Sequence, residues 1–166
     1  MRNDLAALPS LRRQATLFLK DRPDIEHIRK HFNPVQAALI SAHVTLLRED
    51  EVIDWDEVTA RTGEIKKAVT LKIGQPQRYG DLVFLPCDDI EGSFRDIRIN
   101  LLKSRDIRDH KPHITLIHPR NAACSDKIWN EIRGSIEPFT YTFREVSFIL
   151  QENGGVWKTI RTFCIH

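Results

Sequence analysis

No apolar run in this 166-residue sequence is long enough to cross a bilayer as a helix. The opening stretch, Met1 to Leu11, has neither the apolar core nor the small-residue cleavage site of a secretory signal. Cysteine is scarce: Cys87, Cys124 and Cys164 are far apart, odd in number and in no C-x-x-C pair. That usage fits a reducing, cytoplasmic compartment in which the thiols act as small apolar residues. Charge of one sign is also lacking. A net charge of +2 argues against a broad surface that coats nucleic acid, and leaves room for a local basic cleft. What remains is an ordinary globular composition, of a length that suits one compact domain or two small lobes around a shared core, with a monomer as the default.

Within that composition one short pattern occurs twice. Lys111-Pro112-His113-Ile114-Thr115-Leu116 places a histidine and a threonine inside an apolar run, and Ser41-Ala42-His43-Val44-Thr45-Leu46 repeats it with one aliphatic exchange. Side chains alternate along a strand. His113 and Thr115 therefore share one face with Ile117, and Ile114 and Leu116 share the other. A single copy reads as a core strand with a satisfied histidine; two copies in matching context call for a shared purpose.

The pattern along the chain predicts an α+β fold. Residues 1–14 are mixed and polar and read as a loose lead-in, with Arg12-Arg13 as solvated charge. Ala15–Lys20 reads as a strand, and Asp24–Phe32 as a helix with Pro23 at its start and Asn33-Pro34 at its end. Ala37–Leu47 reads as a strand, followed by a short helix from Trp55 capped by Asp54. Ala68–Gly74 reads as a strand, Gln75–Gly80 as a turn and Leu82–Leu85 as a strand. The longest helix runs from Asp88-Asp89 to about Ser104, with Ile90, Phe94, Ile97 and Leu101 as its apolar stripe. Beyond the second motif come a Ser125-capped helix and two long strands, Tyr141–Leu150 and Val156–Ile165, joined by a turn at Asn153-Gly154-Gly155.

These elements superpose on themselves at an offset of about seventy residues, as a duplicated strand-helix-strand-helix-strand unit. Duplication implies two pseudo-symmetric lobes with antiparallel sheets around a central cleft and helices outside. Equivalent residues then face each other, so His43 and Thr45 mirror His113 and Thr115. Near neutrality one of two histidines is available as a base and the other as an acid. The threonine hydroxyls are placed to hold non-bridging oxygens. In-line displacement at a phosphodiester fits, because the attacking and leaving oxygens lie on opposite sides of phosphorus. Imidazolium and hydroxyls supply the charge stabilisation, so neither a metal nor a cofactor is required.

In these residues the chain resembles the 2H phosphoesterases, which include the bacterial 2′-5′ RNA ligase-like proteins and 2′,3′-cyclic nucleotide phosphodiesterases. The resemblance rests on His43-Val44-Thr45-Leu46 and His113-Ile114-Thr115-Leu116, in elements ordered alike from about Ala15. It implies one bilobed domain over 1–166. It also implies metal-independent hydrolysis of ribose 2′,3′-cyclic or 2′-5′ phosphodiesters of nucleotides or RNA ends, or reversible 2′-5′ ligation at the same site. It implies His43 and His113 as catalytic residues, with His113 the base and His43 the acid, and Thr45 and Thr115 as phosphate ligands. After the second motif, Ile117-His118-Pro119-Arg120 departs from the usual arginine-containing ending, and Arg48, Arg78 and Arg120 are the candidates for a phosphate-holding cation.

Three alternatives compete with this reading. A zinc site from His110, His113 and His118 fails on strand parity, since odd separations put neighbours on opposite faces. A Cys–His nucleophile lacks a cysteine beside either motif. A non-catalytic nucleotide or RNA-end binder has no need of two titrating groups; Phe18 and Tyr79 are the candidates for stacking a base there.

Overall fold

The computed structural model describes residues 9–166. Nine strands and five α-helices follow in the order β1 (Leu11–Phe18), α1 (Pro23–Phe32), α2 (Pro34–Leu39), β2 (His43–Arg48), α3 (Trp55–Thr62), β3 (Val69–Ile73), β4 (Gln77–Tyr79), β5 (Leu82–Asp88), α4 (Ser93–Leu102), β6 (His113–Ile117), α5 (Asp126–Ile132), β7 (Phe139–Phe143), β8 (Glu145–Glu152) and β9 (Lys158–Cys164). The fold is α+β with two antiparallel sheets. One has the order β2-β1-β8-β9; the other runs β4-β5-β3-β7, with β6 on the far side of β5. No helix among the described residues is long and apolar enough to cross a membrane.

Local chemistry sets the helix ends. Pro23 opens α1, with Asp24 and Glu26 in its first turn and Arg29, Lys30 and His31 in its last, as the helix dipole favours. The Asp54 carboxylate accepts from the amides of Asp56 and Glu57 at the start of α3, and the Ser125 hydroxyl accepts from Ile128 N at the start of α5. Several expectations needed correction. Residues 11–14 are strand, not lead-in, while residues 1–8 lie outside the described residues. Pro34 restarts a helix instead of only ending one, so the strand expected from Ala37 begins at His43. The turn expected at Gln75–Gly80 contains β4. The long helix begins at Ser93, because the Asp89 carboxylate accepts from Phe94 N and Arg95 N while Gly92 takes a left-handed φ of 72°. Ile90 therefore stands outside the apolar stripe and is exposed, whereas Phe94, Ile97 and Leu101 are buried.

The long strand expected over Tyr141–Leu150 breaks at Arg144, whose carbonyl accepts from Ile165 N. Its two halves join different sheets: β7 pairs with β3, and β8 pairs with β1. The pairing amounts to an exchange. β3 follows β1 and β2 in the chain but pairs with β5, and β8 follows β5 and β6 but pairs with β1. The first repeat lends β3 to the sheet of the second, and the second lends β8 to the sheet of the first while keeping β7 beside β3. The two motif strands β2 and β6 lie against one another where the sheets meet, over a core that includes Leu17, Val44, Leu71, Leu85 and Ile114.

Candidate active site

In β2, His43 and Thr45 are half-buried while Val44 and Leu46 are fully buried; β6 repeats this with His113 and Thr115 against Ile114 and Leu116. Simple alternation holds only to the threonine. In the β1–β2 pairing Ala15 faces Leu47 and Thr16 faces Thr45, which skips Leu46. In the β5–β6 pairing Val83 faces Ile117 and Phe84 faces Thr115, which skips Leu116. Both strands thus bulge at the leucine of the motif. Leu46 with Leu47, and Leu116 with Ile117, all turn into the core. The expectation that Ile117 shares the face of His113 is corrected for that reason. The bulge also limits the polar face of each strand to one histidine and one threonine.

One cavity of about 500 Å³ is lined by His43, Thr45, His113 and Thr115 together. The two histidines are held alike. His43 Nδ1 lies 2.8 Å from the Ser41 carbonyl and His113 Nδ1 lies 3.0 Å from the Lys111 carbonyl. A carbonyl only accepts, so each Nδ1 carries hydrogen and each Nε2 is the ring nitrogen left free for a ligand. Phe18 and Phe84 set ring edges against His43 and His113, with centroids 6.2 Å and 6.0 Å away. Phe18 is therefore packing for an imidazole, and Tyr79, at 81% exposure, lies on β4 away from the cavity lining.

Of the candidate cations, Arg48 and Arg120 line the cavity, joined by Arg12 and Arg13. Arg78 does not: it donates to Asp126 Oδ1 at 2.7 Å and to the Cys124 carbonyl at 2.6 Å. The expected histidine cluster has a different geometry from the one strand parity assumed. His110 precedes β6 in a loop, its ring centroid 6.2 Å from that of His113, and its Nε2 lies 3.1 Å from the Thr45 carbonyl. His118 Nδ1 accepts from Arg120 N. Among the described residues no group of three His, Cys, Asp or Glu side chains is placed to hold a metal ion. Burial pushes the Cys87 thiol up to about 12 and raises Cys124 as well, which keeps both protonated.

Burial is also the largest influence on His43. With Arg29 and His113 nearby, it lowers the imidazole to about 4, against the opposing pull of the Ser41 carbonyl. The cleft by itself thus holds His43 neutral at pH 7. His118 is lowered too, by burial first and Arg120 second.

Two residues of the site carried no sequence signal. Gln14 falls in the polar opening of β1, and its Nε2 donates to Thr16 Oγ1 at 2.6 Å and Thr45 Oγ1 at 3.0 Å. Since an amide nitrogen only donates, Thr45 Oγ1 is an acceptor there and its own proton is free for a ligand in the cavity. Replacing Gln14 with Leu is expected to weaken binding of inorganic phosphate in this cavity about 3- to 10-fold, the worth of one neutral hydrogen bond. Unchanged affinity would remove Gln14 from the site. The second residue is Arg29, buried at 2% exposure on α1 and yet part of the cavity wall.

Two antiparallel sheets meeting at mirrored His-x-Thr-Leu strands define a two-lobed 2H-type fold. The chain belongs to the 2′-5′ RNA ligase superfamily, whose family model matches residues 18–155. E. coli LigT complexed with 3′-AMP is similar in fold, with a TM-score of 0.61 and 20% identity over 93% of this chain and 98% of that one. E. coli LigT complexed with NADP+ gives a TM-score of 0.60 and 18% identity over 95% of this chain and 99% of that one. The Thermus thermophilus protein TT0787 gives 0.59 and 13% over 93% and 97%. No curated protein sequence matches the chain.

Proposed function

We propose that this protein is a phosphodiesterase acting on ribose 2′,3′-cyclic phosphate or 2′-5′ phosphodiester bonds of nucleotides or RNA ends. The reading rests on one observation: two histidines with matching Nδ1 anchors and two threonines line a single cavity. His43 and His113 are the catalytic pair, and Thr45 and Thr115 hold the non-bridging oxygens. His113 Nε2 takes a proton from water as its oxygen bonds to phosphorus. The bond to one ribose oxygen breaks, and protonated His43 Nε2 gives that oxygen its proton. The product is a ribose phosphate monoester with a free neighbouring hydroxyl. Run with a hydroxyl as nucleophile or in reverse, the same pair serves 2′-5′ ligation.

His43 must be charged to act as the acid, while the cleft by itself holds it neutral. The anionic phosphodiester resolves this: a negative charge beside the imidazole favours its protonated form. His43 therefore takes up its proton together with substrate. That LigT has been seen with 3′-AMP and NADP+ supports nucleotides as the ligand class.

The test is incubation with nucleoside 2′,3′-cyclic phosphates across pH. Turnover should follow a bell-shaped profile centred near neutrality and should persist in a chelator. A folded protein that binds these compounds and never turns them over is a binding module. A strict metal requirement would overturn the two-histidine mechanism.

A further inference from the structure

Beside the histidines, a second pair of residues repeats at nearly the same offset. Arg29 on α1 and Arg98 on α4 are at 2% and 1% exposure. Arg29 donates from Nε to the Thr115 carbonyl at 3.2 Å and from Nη2 to the Ile40 carbonyl at 2.8 Å. Its Nη1 meets Glu26 Oε2 at 2.9 Å, and Glu26 Oε1 accepts from Ala42 N. Arg98 donates from Nη1 to the Leu46 carbonyl at 2.6 Å and from Nη2 to the Arg108 carbonyl at 3.3 Å. Its partner is Glu51, with Nη2 2.6 Å from Oε1, and Glu51 Oε2 accepts from Arg48 N.

The two sets match in their carbonyl contacts and differ in their carboxylates, Glu26 lying on α1 beside Arg29 and Glu51 just after β2, in the other repeat from Arg98. Each arginine reaches one carbonyl in the lead-in to its own repeat's motif and one in the motif strand of the other repeat. Each is neutralised by a carboxylate that also fixes a backbone amide beside the first motif strand. Such a cross-brace answers a gap in the sheets. β2 pairs only with β1 and β6 only with β5, so the facing edges of the motif strands have no ladder between them. His110 Nε2, against the Thr45 carbonyl, is a third strut across the same gap. A guanidinium is suited to this work, because its rigid fork meets two carbonyls and a carboxylate at once and a lysine ammonium does not.

We infer that Arg29 and Arg98 are positioning residues that fix the separation of His43 and His113 by tying each repeat's helix to the motif strand of the other. The inference rests on the proposed two-histidine chemistry, in which one phosphate must touch both imidazoles. Misplacement of reacting groups by about 1 Å costs about 10²-fold, so a loosened brace acts on kcat. His43 faces Arg29 and Glu26 from α1 and His113 from β6, and these charges must be preserved or replaced in pairs.

The experiment uses two double variants, Arg29→Met with Glu26→Gln and Arg98→Met with Glu51→Gln. Each removes the guanidinium without stranding a buried charge, and glutamine retains an oxygen for the amide. Inorganic phosphate is titrated into each folded protein while the histidine side chains are followed by NMR, and hydrolysis of a nucleoside 2′,3′-cyclic phosphate is measured alongside. In the wild type His43 and His113 should respond along one saturation curve. In the variants one imidazole should lose most of its phosphate-induced shift at saturation while the other keeps its own, with kcat down about 10- to 100-fold. Folded variants in which both imidazoles keep their wild-type shifts at saturation, with kcat within about twofold of wild type, would overturn the brace. Where a double variant does not fold, Arg29→Lys and Arg98→Lys keep the charge, lose the fork and give the same comparison. A wild type that shares one phosphate curve but never turns over cyclic phosphate ends the hydrolytic reading and leaves the brace to be decided by NMR. A wild type in which the two histidines never respond together overturns both.

Discussion

His43→Asn and His113→Asn are each expected to lower kcat for a nucleoside 2′,3′-cyclic phosphate by about 10²- to 10⁴-fold, the usual worth of a positioned acid or base. Asparagine is chosen because its amide can still donate to the Ser41 or Lys111 carbonyl, so the strand entry keeps its anchor. The double variant should lose little more than the worse single one, since the two groups act in one step. Thr45→Val and Thr115→Val remove one hydroxyl each while preserving β-branched shape, and about tenfold losses are expected from a lost hydrogen bond to a charged oxygen. Steady-state kinetics with circular dichroism as a folding control reads all of these. A folded His113→Asn protein with wild-type turnover would end the proposal.

The second large effect is on stability against acid. His43 and His110 are both lowered to about 4, in each case chiefly by burial, with Arg29 acting on the first and Arg98 on the second. Histidine in the unfolded chain titrates near 6.5. Between these values the unfolded state binds more protons than the native one, so stability rises with pH across that window. It is fully present above pH 6.5 and is lost as pH falls toward 4. From pH 7 to pH 5 the expected loss is about 2 kcal/mol per histidine, or about 4 kcal/mol for the two. That interval lies above the range where carboxylates such as Glu51 begin to titrate. Urea unfolding at the two pH values measures it. His110→Gln, which keeps a donor toward the Thr45 carbonyl and does not titrate, should abolish about half the change. An unfolding midpoint unaffected by this pH step would show that the imidazoles are not held neutral. Binding an anion should reverse the effect at His43, which calorimetry in buffers of different ionisation enthalpy reads as uptake of up to about one proton at pH 6.

The amino-acid sequence by itself determined the duplication, the two strands that carry histidine and threonine, and the α+β class. These are local properties. Alternation decides which residues share a face, and side-chain caps at Asp54 and Ser125 mark helix starts. The same locality explains the misses. Pro34 is a stop by its effect on Asn33 and a start by its fixed φ, and only packing selects the second. The leucine bulges at Leu46 and Leu116 leave no mark in the pattern of polar and apolar residues, because they depend on the register of the neighbouring strands.

The tertiary structure alone decided the exchange of β3 and β8 between sheets, and with it which surfaces meet. It alone brought Gln14 to Thr45 and joined α1 and α4 to each other's motif strands through Arg29 and Arg98. Hydrogen bonds between residues dozens of positions apart have no periodic signature along the chain. Their geometry exists only once the chain is packed, and burial sets His43 toward neutrality for the same reason: desolvation is a property of the surroundings and not of the residue.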